Sequence, residues 1–130
     1  MDDAGLAYTV SVVPWVRAFR QAKTEANTII YTIGRIPERE EDFIWLKHVF
    51  DITYDVYSLK KNKMLESISD DRLFTLPVAV SKDDAASTFL LKRGFSNLVY
   101  INDYEHMLKL LSRGRVDLIA SNSVGIHQLL

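Results

Sequence analysis

The second half of the chain carries the pattern that most restricts its fold. "FTLPVAV" is an apolar run rich in β-branched residues and reads as a strand. Asp83 or Asp84 can cap a following helix whose Ala86, Phe89 and Leu90 point inward, and Gly94 closes it. "NLVYI" is the next strand. Asp103 caps a second helix with Tyr104, Met107, Leu108 and Leu111 on one stripe, and Gly114 ends that helix; Glu105 and Lys109 sit at i,i+4 on its outer side. "VDLIAS" is a third strand, and "VGIHQLL" opens another helix. Strand, helix, strand, helix, strand with short links leaves little choice. The strands run parallel and the crossovers are right-handed.

The first half repeats the unit less clearly. "AYTVSVV" alternates and reads as a strand. Pro14 sits where a helix can start, and Trp15, Ala18, Phe19 and Ala22 recur at helical spacing. "NTIIYTI" is apolar enough to be covered on both faces. "FIWL" and "ITYDVYSLKKN" are extended segments around a polar break at Asp51. The expected architecture is α/β with two parallel-sheet lobes, residues 1–50 forming part of the first and residues 51–130 the second.

Composition narrows the function. Sixteen Lys and Arg against 17 Asp and Glu give a net charge of −1, so no basic excess exists to grip a phosphate backbone, and no nucleic-acid partner is expected. No apolar run approaches the roughly 20 residues of a membrane span. "MDDAGLAYTV" opens with two acids and reads as no signal peptide. Cysteine is absent, which removes disulfides, thiolate metal sites and a cysteine nucleophile. His48, His106 and His127 have no metal-ligand spacing, and neither a phosphate-binding glycine motif nor a serine nucleophile motif occurs, so no cofactor, metal or catalytic group is expected.

Open parallel sheets bind ligands beyond the carboxyl ends of their strands. Here those ends are 32–39, 81–84 and 121–123, all polar. The first lies in "YTIGRIPEREEDF", where Arg35 and Arg39 flank Pro37. A charged run of this kind is commonly a solvated turn. At a strand end it can instead form a carboxylate receptor: Pro37 opens a helical turn that returns the planar Arg39 guanidinium toward Thr32 and the free backbone N–H groups.

"VPWVRAFRQAK", "NTIIYTIGRIPEREEDFIWL" and "LLSRGRVDLIASNSV" together resemble the bacterial extracellular solute-binding proteins of family 3, the periplasmic receptors of polar amino-acid ABC transporters. The resemblance runs from about residue 4 to the chain end. It rests on the strand with its Pro–x–Arg turn, 32–40, and on Gly–Arg–x–Asp at a strand start, 114–117. It implies a type II periplasmic-binding-protein fold, incomplete at both ends: the family's N-terminal strand and ligand loop and its C-terminal return into lobe one are missing.

What the resemblance implies for the site falls on named positions. Arg39 holds the ligand carboxylate, and Thr32, two residues before the Gly34 position, assists. Asp84 and Ala85 contribute through a helix N-terminus. Asn122 stands where the family's aspartate binds a ligand amino group, and this neutral residue weakens the case for an amino acid. Arg35 replaces a small residue, so the site is expected to be more positive than usual. The implied function is non-catalytic capture of a small anionic or zwitterionic solute in an interlobe cleft, with an ABC permease as partner in the full-length context and a periplasmic location. A sensory ligand-binding domain is the alternative. A dehydratase of cyclic amino-acid precursors, with Glu38 or Asp84 as acid, is the lesser one. In this family the first strand of each lobe lies between the second and third, so "PVAV" is expected between "LVYI" and "DLIA". "YTVSVV" and "TIIYTI" would flank an absent strand, which implies a homo-oligomer with a rearranged lobe one.

Overall fold

A computed structural model describes residues 5–127. Its centre is a four-stranded sheet built from β1 (Tyr54–Tyr57), β2 (Val78–Ser81), β3 (Leu98–Ile101) and β4 (Leu118–Asn122), in the order β1-β4-β2-β3. β2 runs parallel to both of its neighbours, while β1 pairs antiparallel with β4. "PVAV" therefore lies between "LVYI" and "DLIA", as the family resemblance implies.

Alternation along the central strands sorts the core into two layers. Val78 and Val80 of β2, with Leu118 and Ala120 of β4, face Ala86 and Leu90 of α3 (Ala85–Lys92). Ala79 and Ile119 point the other way, onto Met107 and Leu111 of α4 (Tyr104–Ser112). β2 is buried along its whole length, so each of its large apolar side chains contributes about 1.5–3 kcal/mol by leaving water. Asp84 and Asp103 cap α3 and α4 through the backbone N–H groups of Ala86 and His106. Both helices end alike: Gly94 and Gly114 take positive φ, and Phe95 N and Arg115 N donate back to Leu90 O and Leu110 O, satisfying carbonyls the helix leaves open.

Three details differ from the sequence reading. "FTLPVAV" yields a strand only from Val78, because Phe74 and Thr75 close the short helix α2 (Asp70–Leu73). Phe89 is 38% exposed and stacks on Tyr54 instead of entering the core. The third concerns residues 5–50. They contain α1 (Trp15–Thr24) and a 3₁₀ turn (Pro37–Arg39), but neither 7–13 nor 27–33 forms a strand. The expected second sheet is thus missing among the described residues. A strand needs a neighbour for its N–H and C=O groups, and no ladder partner is supplied. Val12, at 97% exposure, stands in the open. What order this region has comes from an aromatic row, Trp15–Phe19–Phe43–Trp45, with ring centroids 5.5 to 5.9 Å apart.

Two further α-helical or 3₁₀ elements, Lys63–Ser67 and α5 (Ser123–His127), complete the fold. Among the described residues no helix is long and apolar enough to cross a membrane.

Candidate functional site

The 32–40 turn meets the carboxyl end of β2, at Asp83, and the start of β1, at Tyr54, and Arg39 is its centre. Pro37 occupies the first position of the 3₁₀ turn, where its fixed φ suits the geometry. The turn sends the Arg39 side chain inward to 6% exposure. Nη1 donates to Gly34 O at 2.9 Å and Nη2 to Asp83 O at 2.6 Å. The guanidinium lies 4.9 Å from the Phe19 ring centroid and 5.7 Å from that of Trp15. Burial pulls its pKa below the ordinary arginine value, opposed by Tyr54, Asp84, Asp83 and Asp42, and it remains a cation. Asp83 adopts φ of 60° between β2 and α3, a conformation aspartate tolerates, and its carbonyl accepts the guanidinium bond.

Gly34 closes the turn against β1. A Cβ at this position would lie 2.7 Å from Tyr54 Oη, so any larger residue requires the Tyr54 hydroxyl to shift. Asp84 is buried at 6% exposure. Its Oδ1 accepts from Ala86 N at 2.9 Å, and its Oδ2 accepts the Tyr104 hydroxyl at 3.1 Å. Burial, reinforced by the Asp84 charge, raises the Tyr54 phenol to about 12 and the Tyr104 phenol further. Ser81 and Ser121, at the ends of β2 and β4, are also buried. Neither hydroxyl makes a full hydrogen bond, although Ser121 is near enough to Tyr104 to favour its ionised form slightly.

Of the residues singled out from the sequence, Arg39, Gly34, Asp84 and Ala85 come together. The other three stand apart from this cluster. Thr32 is exposed, with no hydrogen-bond partner for its hydroxyl among the described residues. Arg35 turns outward, donating to both Glu40 oxygens at 2.7 and 2.9 Å and lying 5.2 Å from the Trp45 ring centroid. Glu40 thereby neutralises the extra positive charge expected there. Asn122, the last residue of β4, directs Oδ1 at the following helix α5, accepting from Val124 N at 3.1 Å and Gly125 N at 2.7 Å. Sequence reasoning missed Tyr54 and Tyr104. Tyr104 reads as part of the apolar stripe of α4; only the tertiary fold shows that its hydroxyl ends on Asp84. Among the described residues no group of three or more His, Cys, Asp or Glu side chains is placed to hold a metal ion.

A cavity of about 220 Å³ opens beside Arg39, bordered by Phe19, Asp83, Asp84, Ser87 and Thr88. It is open to solvent and smaller than the roughly 300–1,000 Å³ of pockets that enclose drug-sized ligands. Two other acids at its rim are already paired: Asp42 with Lys23 at 2.7 Å, and Glu38 with Lys92.

No protein-family model and no curated protein sequence matches the chain. Solved structures do. ArgBP from T. maritima, in its holo form, aligns at 16% identity over 96% of this chain and 55% of that protein, with a TM-score of 0.78. The solute receptor for L-cysteine of Neisseria gonorrhoeae aligns at 21% identity over 69% of this chain and 36% of its own, with a TM-score of 0.58. An ancestral amino-acid-binding protein, a precursor of cyclohexadienyl dehydratase, aligns at 15% identity over 70% and 41%, with a TM-score of 0.61. The chain has the solute-binding-protein fold. It spans about half the length of the T. maritima protein, 55%. Within that fold the cluster around Arg39 lies where the carboxyl end of β2 meets the preceding region, and strand carboxyl ends are where open α/β sheets bind ligands.

Proposed function

We infer that this chain supplies part of a non-catalytic solute-binding protein that holds a small anionic or zwitterionic solute, amino-acid-like or a carboxylate, between residues 1–50 on one side and 51–130 on the other. Arg39 carries this reading. It is a buried cation, in contact with no acid, at the junction of the two regions. Guanidinium has five N–H donors, and only two are used on protein carbonyls. A ligand carboxylate takes the remaining donors, or displaces the neutral Asp83 carbonyl, because a charge-assisted bond is roughly twice as strong as a neutral one. The neighbouring folds, an arginine-bound protein and a cysteine receptor among them, support a small polar solute.

Binding is favoured over dehydration by the state of the nearby acids. Hydrogen bonding to Lys92 holds the Glu38 carboxyl below the ordinary range, which suits an ion-pair partner and not a proton donor. Uptake through an ABC permease in the periplasm is the physiological setting this reading implies. The exposed alternation of Leu6, Tyr8, Val10 and Val12 supports association of copies through this region, which light scattering on a size-exclusion column checks; a strict monomer contradicts it.

Titration calorimetry on the full-length protein tests the site. Arg39→Ala is expected to weaken the ligand found by an amino-acid and carboxylate screen by about 2–5 kcal/mol, the usual cost of removing one partner of a desolvated charge pair. Unchanged affinity removes Arg39 from the site.

A further inference from the structure

The start of β4 borders a second concavity. β4 runs parallel to β2, so its start lies at the end of the sheet opposite the Arg39 cluster. β1 is antiparallel to β4, with Tyr57 opposite Ile119, so the turn that leaves β1 lies beside the segment that enters β4. The turn at 58–62 and the segment 111–117 frame a cleft of about 390 Å³, within the roughly 300–1,000 Å³ of small-molecule sites. Leu111 and Val116, both buried, back it.

This register brings two cationic stretches together: Lys60 and Lys61 on the turn, Arg113 and Arg115 after α4. None of the four has an acid partner among the described residues. By contrast, Lys63 in the same stretch holds Glu66, and Lys109 of α4 holds Glu105. The chain as a whole carries a net charge of −1, so this cationic end is not a by-product of a basic composition. A cation in the last turn of a helix ordinarily answers the helix dipole, which accounts for Arg113. It does not account for Lys60 and Lys61, which lie on no helix. Gly114 N and Arg115 N already take the carbonyls of Leu111 and Leu110, so little of the negative helix end is left to answer. Ser58, at the cleft, has a hydroxyl shielded from water and without a hydrogen-bond partner. Asp117 is the one acid on the lining, against Lys61 and Arg113.

We propose that this cleft is a second ligand site, and that it takes a small soluble phosphate ester. Lys61 and Arg113 receive the phosphoryl group from two sides, and the organic part rests on Leu59, Leu111 and Val116. Cations converging from separate segments suit a group that carries nearly two charges and three acceptor oxygens, whereas a planar carboxylate is served by a single guanidinium. A concave cleft with a buried apolar floor favours a molecule that enters it over a flat anionic surface. The site does not depend on the Arg39 reading, because the two lie at opposite ends of the sheet.

Heteronuclear NMR on the full-length protein reads this site residue by residue. The probes are inorganic phosphate, phenyl phosphate and, as the uncharged control, phenol. Phenyl phosphate is expected to shift the amide signals of 58–62 and 111–117 to saturation and to bind more tightly than inorganic phosphate, while phenol leaves them in place. Lys61→Gln combined with Arg113→Gln is expected to weaken phenyl phosphate at least about tenfold, the loss of charge-assisted hydrogen bonds. Both positions are exposed, so the fold tolerates the change. Asp117→Asn is expected to tighten it about threefold by removing a like charge, and Arg39→Ala to leave it as in wild type. No saturating shift with either phosphate probe overturns the proposal, and so does a shift that survives the double substitution. Binding to phosphatidylglycerol vesicles without binding of the soluble probes shows a diffuse basic surface and overturns it too.

Discussion

Residues 5–50 and residues 54–127 are written in the same apolar vocabulary and end in different states. The later region buries all fifteen hydrophobic residues that form the core. In the earlier region the only buried residue among those described is Arg39, a cation, while Leu6, Val10, Val12, Ile29, Tyr31, Ile44 and Leu46 lie exposed. β-branched runs become strands where a neighbour completes the ladder, as β4 and β3 do for β2, and not otherwise. Few contacts hold the two regions together: the Arg39 bond to Asp83 O, the Glu38–Lys92 pair and the approach of Gly34 to Tyr54. The site is assembled from those same contacts, so ligand affinity and cohesion of the regions are linked.

The sharpest way to break this contrast is a truncation on each side. Leu90→Ala, in the α3 layer of the core, is expected to destabilise by about 2–5 kcal/mol, and Val12→Ala by less than about 0.5 kcal/mol. Urea unfolding monitored by circular dichroism separates them; equal losses show that the first region is packed after all. At the seam, Gly34→Ala is expected to cost about 1–3 kcal/mol, because the new methyl meets Tyr54 Oη. Tyr54→Phe in the same chain is expected to recover much of that cost, and a double-mutant cycle with no coupling excludes the contact.

Alkaline pH probes the same seam. Burial first, and the Asp84 charge second, raise the Tyr54 phenol from its ordinary value near 10 to about 12. Between these values the folded chain still holds the proton and the unfolded chain has lost it. The stabilisation from the neutral phenol is therefore complete below about pH 10 and disappears as pH rises toward about 12. The melting temperature is expected to fall over that window, and less steeply in Tyr54→Phe; identical slopes remove Tyr54 from the account.

The smallest effect is expected at Asn122. Asn122→Asp retains the acceptor for Val124 N and Gly125 N and adds charge at a helix N-terminus, worth about 0.3–1 kcal/mol. Thermal melts measure that gain. Calorimetry on the same variant is expected to show no new preference for amino acids over 2-hydroxy acids. A preference that rises shows the side chain reaching the ligand instead of α5.

The sequence by itself determined the parallel strand–helix alternation, the Asp84 and Asp103 caps, the glycine stops and the turn that places Arg39; the central place of β2 came from the family resemblance. The first four follow from local chemistry: period, capping and turn residues act within a few positions of each other. It also pointed to a strand-end site. Only the tertiary structure decided that 7–13 and 27–33 remain without strand pairing, since a ladder depends on what lies alongside and not on the residues in it. Only the tertiary structure turned Arg35 to Glu40 and Asn122 to α5, brought the Tyr104 hydroxyl to Asp84 from 20 residues away, and set the Tyr54 hydroxyl against Gly34. The competition for a side chain's donors and acceptors is settled by whichever partner is nearest in space, and sequence spacing does not record that distance.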